Sequence, residues 1–377
     1  MNAPAEFVQP GRASVRTVLG AALAATGLEP NRDGLPWEQW RAELGLPRAR
    51  RTCVVLVDGL GDAQLTERSG HFPFLRGLRP DALVADTVVP STTAAAITSI
   101  GTGECPGRTG MLGYTVREPA SGRLMNLIRW DQDFMPVESW QRRPTLAEQL
   151  REPARLAIVG PQRFVGSGLN TAAFRGGRDL SAENLSARVD ATIAELRSGR
   201  ADLVYLYWGE VDHVGHVSGW GSWQWGEEAS RTDRELRRLA RSLPAGTLLV
   251  ITADHGMVDV AETFDAARTP ELARGVELIS GEPRAMHLHT SDDGVAARWR
   301  DFLGDRAWVV GRDEALAVFG DLDPRFVPVI GDVVVFMRGR TVVVDSRTQT
   351  PASMALVGVH GSLTPAEMRV PIMTLVT

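Results

Sequence analysis

The sequence contains no lysine: its 41 basic residues are all arginine, set against 46 Asp and Glu for a formal net charge of −5. Schiff-base chemistry, a lysine nucleophile and the lysine of a phosphate-binding P-loop are therefore excluded. So slight a charge imbalance marks neither a nucleic-acid-binding surface nor an acidic disordered chain, and no nucleic-acid polymer is expected as a partner. Cysteine is nearly absent too. Cys53 and Cys105 are too few for a disulfide framework or a thiolate metal site, and a reducing cytoplasm suits them. No apolar run approaches the ~20 residues that cross a bilayer, so no membrane association is expected. The segment VRTVLGAALAATG (15–27) is short, glycine-broken and preceded by Glu6, which argues against a signal peptide. It is read as an amphipathic helix within an N-terminal helical extension, residues 1–47.

With 377 residues, 44% of them hydrophobic, the chain can bury a large core. The apolar runs 52–59, 82–89, 155–160, 201–208 and 246–256 read as strands buried on both faces. Helical patterns at 144–152, 181–199 and 225–243 alternate with them. Such alternation predicts an α/β fold: a mainly parallel central sheet with helices on both faces. The texture changes after Val260, and 261–345 reads as a small α/β cap insert ending in a hairpin at 331–345. The catalytic core is then 48–260 together with 346–377. The insert is expected to form one wall of the substrate pocket.

In open α/β sheets chemistry sits beyond the carboxyl ends of the strands. Asp58, Asp212, and Asp254 with His255 all fall there. Any one Asp at a strand end is ordinarily a cap or turn former. A set of carboxylates and imidazoles on one edge suits hard divalent cations instead. In YLYWGEVDHVGHVSGW (205–220), Asp212 and His216 lie four apart, so one helical turn aims both at one ion. His360 sits between glycine-flanked residues in the returning C-terminal segment. His213 reads as structural, and His71, His287 and His289 as packed or solvated.

The ordered set VDG (57–59), PSTT (90–93), D-x-x-x-H (212–216), ADHG (253–256) and HG (360–361) resembles the alkaline phosphatase superfamily, in its type I phosphodiesterase and nucleotide pyrophosphatase branch. The resemblance spans about residues 50–377. It implies two divalent metal ions, Zn²⁺ or Mn²⁺, one bound by Asp58, Asp254 and His255 and the other by Asp212, His216 and His360. It also implies that Thr93 is the nucleophile and touches the metals. Thr93 would open an Ala-rich helix whose free N–H groups could receive a phosphoryl group. Thr92 is the rival nucleophile. Two dications and three carboxylates leave about one positive charge, which suits a singly charged phosphodiester.

The branch places an Asn on the phosphoryl oxygen about twenty residues after its nucleophile, where this chain has Tyr114. Tyr114, nearby Asn126 or the backbone is left to hold that oxygen. Trp220 and Trp223, in a Gly- and Ser-spaced loop, are expected to stack a nucleobase. The partner is thus a small nucleotide. The compact, lysine-free form resembles actinobacterial enzymes that open cyclic di-AMP to linear pApA and AMP. A phosphomonoesterase or phosphonate hydrolase of the same superfamily, and a non-catalytic nucleotide receptor, are the alternatives.

Overall fold

The computed structural model describes residues 4, 5, 7, 8, 11 and 13–377; Glu6 lies outside them. Seven strands form the central sheet, in the order Leu83–Asp86, Arg369–Val376, Thr247–Thr252, Arg51–Val57, Leu203–Trp208, Leu156–Gly160, Arg178–Ser181. The last five are parallel to one another, and Arg369–Val376 runs antiparallel to both of its neighbours. Thr52–Val57 and Thr247–Thr252 are buried throughout, as the unbroken apolar runs require of a sheet covered on both faces.

The segment 15–27 does form a helix, Val18–Thr26, but it is buried on every side rather than amphipathic. It packs against the central strand Arg51–Val57, the helix Trp37–Glu43 and the helix Thr93–Thr102. Gly20 permits this: a Cβ there would lie 2.5 Å from the Trp40 ring. The stretch 144–152 forms turns, not a helix, because its polar groups are taken by distant partners. Leu146 N–H bonds Gly101 O, and the Thr145 hydroxyl bonds Arg175 O.

A second, antiparallel sheet has the order Ala307–Gly311, Val333–Met337, Ala285–His289, Leu278–Glu282, Thr115–Arg117, Leu124–Asn126. Its last two strands come from the chain just after Thr93–Thr102, so the 261–345 region is completed by residues far upstream. The expected hairpin at 331–345 does not form. Val333–Met337 joins the six-stranded sheet, whereas Thr341–Val344 pairs in parallel with Glu262–Asp265. Both runs are Val-rich and buried, and alternation cannot tell which neighbour each will take.

Candidate metal centre

The carboxyl edge of the central sheet gathers the seven residues singled out in the sequence. Asp58 follows Arg51–Val57, and Asp254 with His255 follows Thr247–Thr252. Asp212 and His216 lie one turn apart on the helix Glu210–Ser218, which continues from Leu203–Trp208. His360 follows the short strand Gly358–Val359, and Thr93 is the first residue of Thr93–Thr102. Gly59, at φ +71°, lets the chain turn tightly under Asp212, where a Cβ would lie 2.9 Å from that carboxylate.

The distances form one continuous cluster. His216 Nε2 is 3.1 Å from Asp212 Oδ2, and His360 Nε2 is 3.8 Å from Asp212 Oδ1. His255 Nε2 stands 3.4 Å from both Asp58 Oδ1 and Asp254 Oδ2, and 3.1 Å from Thr93 Oγ1. Ligand atoms of Asp212, His216 and His360 lie within 4.8 Å of one another, and so do those of Asp58, Asp212 and His255. Asp212 therefore joins the two groups.

The second ring nitrogen of each histidine is fixed by a carbonyl. His216 Nδ1 donates to Gly358 O at 2.7 Å, His360 Nδ1 to Ser91 O at 2.8 Å, and His255 Nδ1 to Gly256 O at 3.0 Å. A carbonyl only accepts, so each Nδ1 carries hydrogen and each Nε2 is turned toward the carboxylates, the arrangement that orients metal-binding imidazoles. Asp58 Oδ1, Asp212 Oδ1 and Asp254 Oδ2 are buried with no hydrogen-bond partner among the described residues. Three orphaned oxygens facing oriented imidazoles fit a site for divalent cations.

The electrostatics show how strongly these crowded groups act on one another. Burial, then the charges of Asp254 and Asp212, push the Asp58 carboxyl well above its ordinary range, although the Tyr207 hydroxyl donates to it. Burial likewise raises Asp254, with Asp212 adding to it. Burial opposes charge on His216 and on Asp212 too, but their mutual attraction prevails. His216 is pushed up to about 9, and Asp212 is held below the usual carboxylate range. His360 is driven well below the ordinary histidine value by burial and then by His255.

A cavity of about 450 Å³ opens beside Thr93. Its wall is largely apolar, with Ile128, Ile158, Phe164 and Leu169, and Tyr207 beside Asp58 forms part of it. Among the described residues, none of 261–345 lines it, and neither does Trp220 or Trp223. Trp220 packs against the main core, its backbone N–H donating to Asp259 Oδ1 at 2.9 Å. Trp223 is 69% exposed in a separate surface groove with Arg68 and Arg231.

Residues 52–363 match the family of type I phosphodiesterases and nucleotide pyrophosphatases. The chain belongs to this family. It thereby falls in the alkaline phosphatase superfamily, whose fold its solved neighbours share. Phosphonoacetate hydrolase from Sinorhizobium meliloti 1021, solved with phosphonoacetate, superposes with a TM-score of 0.66 at 22% identity, covering 87% of this chain and 90% of that one. Murine ectonucleotide pyrophosphatase/phosphodiesterase 5 superposes with a TM-score of 0.63 at 17% identity, covering 86% and 87%. At these identities the likeness is one of fold. The catalytic subunit of GPI ethanolamine phosphate transferase 2 from Homo sapiens is 26% identical over 295 residues, 73% of this chain. The chain spans 27% of that relative's length.

Within the cluster, Thr93 is the hydroxyl that reaches His255, whereas Thr92 is buried against Glu282. The Tyr114 side chain is 38% exposed and lies outside the cavity, while its N–H bonds Glu282 Oε2 at 2.7 Å. Asn126 Oδ1 accepts the N–H groups of Ile128 and Arg129, shaping the turn that brings both to the cavity wall. His213 is exposed, and His287 and His289 are buried in the second sheet with hydrogen bonds to Leu112 O and Ser280 Oγ. Sequence reading missed Phe164, Tyr207 and Glu282. Only Tyr207 carried a local signal, alternating with Tyr205 on the strand that leads to Asp212.

Proposed function

We propose that this protein is a two-metal phosphodiesterase acting on nucleotides, with cyclic di-AMP, opened to linear pApA and then to AMP, as its substrate. The observation that carries the reading is the double placement of Thr93. Its hydroxyl is 3.1 Å from His255 Nε2 inside the metal-binding cluster, and the same residue lines the cavity. Asp58, Asp254 and His255 would hold one Zn²⁺ or Mn²⁺, and Asp212, His216 and His360 the other. Bound there, the two cations would supply Lewis acidity, lowering the pKa of the hydroxyl and offsetting charge on the phosphoryl oxygens.

The chain's own groups supply the rest. Thr93 Oγ1 lies 3.1 Å from His255 Nε2, which sets the hydroxyl beside the ligand set of the first cation. No side chain caps the helix Thr93–Thr102, so its first N–H groups remain open to an anion. Attack by Thr93 Oγ on phosphorus forms a Thr93–O–P bond as the bond to the ester oxygen breaks, the proton of the hydroxyl ending on that leaving oxygen, and water then hydrolyses the Thr93 ester to release the nucleotide and restore the hydroxyl; the apolar wall around Phe164 seats one nucleoside. The free thiols Cys53 and Cys105 support a cytoplasmic setting within the same proposal.

Turnover of bis-p-nitrophenyl phosphate and p-nitrophenyl phosphate in Mn²⁺ or Zn²⁺ tests the reaction class, and mass spectrometry of products from a dinucleotide panel tests the substrate. Preference for the monoester would replace the reading with a phosphomonoesterase or phosphonate hydrolase. Tight nucleotide binding without turnover would make the protein a receptor.

A further inference from the structure

Arg129 and Arg163 both line the cavity that opens beside Thr93, both are exposed, and neither has an ion-pair partner among the described residues. Each is held in place from behind. Arg129 sits on the turn fixed by Asn126 Oδ1, and the Arg163 guanidinium lies 5.1 Å over the Phe164 ring.

A third cation adds to their field. Arg188 is buried, its hydrogen bonds among the described residues go to the carbonyls of Ala182, Glu183 and Tyr207, and it is near enough to Arg163 for the two charges to repel. Two carboxylates stand nearby. Asp179 also lines the cavity and accepts from Asn170 Nδ2 at 3.0 Å, and Glu183 accepts from Gln162 N–H at 2.9 Å. Neither is bonded to a guanidinium, so Arg129 and Arg163 keep their donors free. Guanidinium donors left free at a cavity wall are suited to a phosphate.

We propose that Arg129 and Arg163 form a second anion subsite, which receives a further phosphate carried by the nucleoside whose scissile phosphate lies at Thr93. This rests on the nucleotide phosphodiesterase reading above and narrows its substrate class to nucleosides bearing two phosphate groups. A cyclic dinucleotide meets that requirement, since each nucleoside carries both a 3′- and a 5′-linked phosphate. A dinucleoside monophosphate does not.

The test uses a pair of chromogenic esters that differ by one phosphate: thymidine 5′-(p-nitrophenyl phosphate) with and without a 3′-phosphate. The wild-type protein, loaded with Mn²⁺, is expected to show a kcat/KM at least about tenfold higher for the ester that carries the extra phosphate, the scale of a charge-assisted hydrogen bond at a partly exposed site. The preference should shrink as salt rises. In Arg129→Gln/Arg163→Gln the ratio of the two kcat/KM values should fall to near one, with an unchanged melting temperature. Arg163→Ala, which also removes the contact with Phe164, should lower the ratio in the same direction. Equal turnover of both esters by the wild type would overturn the second subsite and leave the phosphodiesterase reading standing. A preference that survives in the double variant would also overturn it. Failure to cleave either ester would sink both.

Discussion

Asp254→Asn separates a metal ligand from an ordinary buried carboxylate. Asp254 Oδ1 accepts the N–H groups of Gly59 and His255 at 3.2 and 3.1 Å, and an amide oxygen can do the same. Its Oδ2 has no partner among the described residues and faces the carboxylates of Asp58 and Asp212. The substitution therefore removes one of three crowded negative charges without breaking a hydrogen bond. In chelator, the variant should be more stable than the wild type by about 1–3 kcal/mol, the usual cost of a buried unsatisfied polar group. For a chain of 377 residues that is a rise of about 1–4 °C in melting temperature. With metal the order should reverse. Cations at a hundredfold excess over their Kd stabilise the wild type by about 2.7 kcal/mol per site. The variant, lacking one anionic ligand, should gain distinctly less and retain fewer than two ions per chain. Turnover should fall by at least about 10²–10³-fold, since several kcal/mol of charge stabilisation is lost. Melting curves with and without Mn²⁺, together with metal analysis, check each part. A variant that is less stable than the wild type in chelator, or that gains as much from metal, would refute the argument.

Gly59→Ala forces a Cβ to within 2.9 Å of Asp212 at φ +71°, so it should cost about 1–3 kcal/mol of stability and most of the metal-dependent rise in melting temperature. Glu282 has no cationic partner among the described residues, and burial, with a contribution from Glu367, pushes its carboxyl up to about 8 against the pull of Tyr114 N–H and Thr92. Because this folded value lies above the unfolded ~4.3, its stabilising contribution is complete below about pH 4.3 and is lost as pH rises through 8. Glu282→Gln should be near neutral at pH ~4.5 and more stable than the wild type by about 2–5 kcal/mol at pH ~8.5, read from denaturant midpoints; equal midpoints at the higher pH would show that the carboxyl is ionised without cost. Phe164→Ala should lower kcat/KM for a nucleotidyl ester by about ten- to a hundredfold, the value of one stacking contact, while Trp223→Ala should leave it within about twofold. The opposite ranking would move the nucleoside from the cavity to the Trp-rich loop.

How far the sequence could be read depended on whether each residue's surroundings were local. Asp58, Asp212, Asp254 and His255 were legible because a parallel sheet brings the carboxyl ends of its strands to one edge whatever the loops do. Thr93 was legible for a similar reason, standing where a strand gives way to an uncapped, uncharged helix. The cavity was not. Its wall is assembled from 128–129, 158–170 and 179–180, loops that meet only in the folded chain, and Phe164 stands in a short turn with no periodic neighbours. The tryptophans misdirected for the converse reason: four rings close in sequence at 208–225 look like a platform, yet Trp208 and Trp225 are buried in the core. The N-terminal helix was misjudged as amphipathic because the surface that covers it, Trp37 and Trp40, lies in the following helix.

The second sheet bears on the site from behind rather than over the cavity. Its turn at Glu282–Ala285 carries Arg284, which is fully buried and gives a two-pronged salt bridge to Glu367, at 3.0 and 2.6 Å. Glu367 in turn accepts from Ser362 N–H, and the Ser362 hydroxyl bonds Met337 O in the same sheet. His360 therefore lies on a segment clamped two residues later by groups of the second sheet. Removing one member of a buried ion pair costs about 3–5 kcal/mol, so this clamp resists movement far more than a surface contact would. Glu282 adds a contact on the opposite side. A Cβ at Gly361 would lie 2.5 Å from its Cγ, so only glycine fits beside it after His360. The same carboxyl takes the Tyr114 N–H from the two strands that the 115–126 segment lends to the sheet. Rigidity at His360 matters because, among the described residues, its imidazole is held by one hydrogen bond, Nδ1 to Ser91 O, one residue from Thr92, and by stacking on His255. The helix that opens with Thr93 and the His360 imidazole are thus fixed to each other through Ser91, and both are held against the second sheet through Glu282.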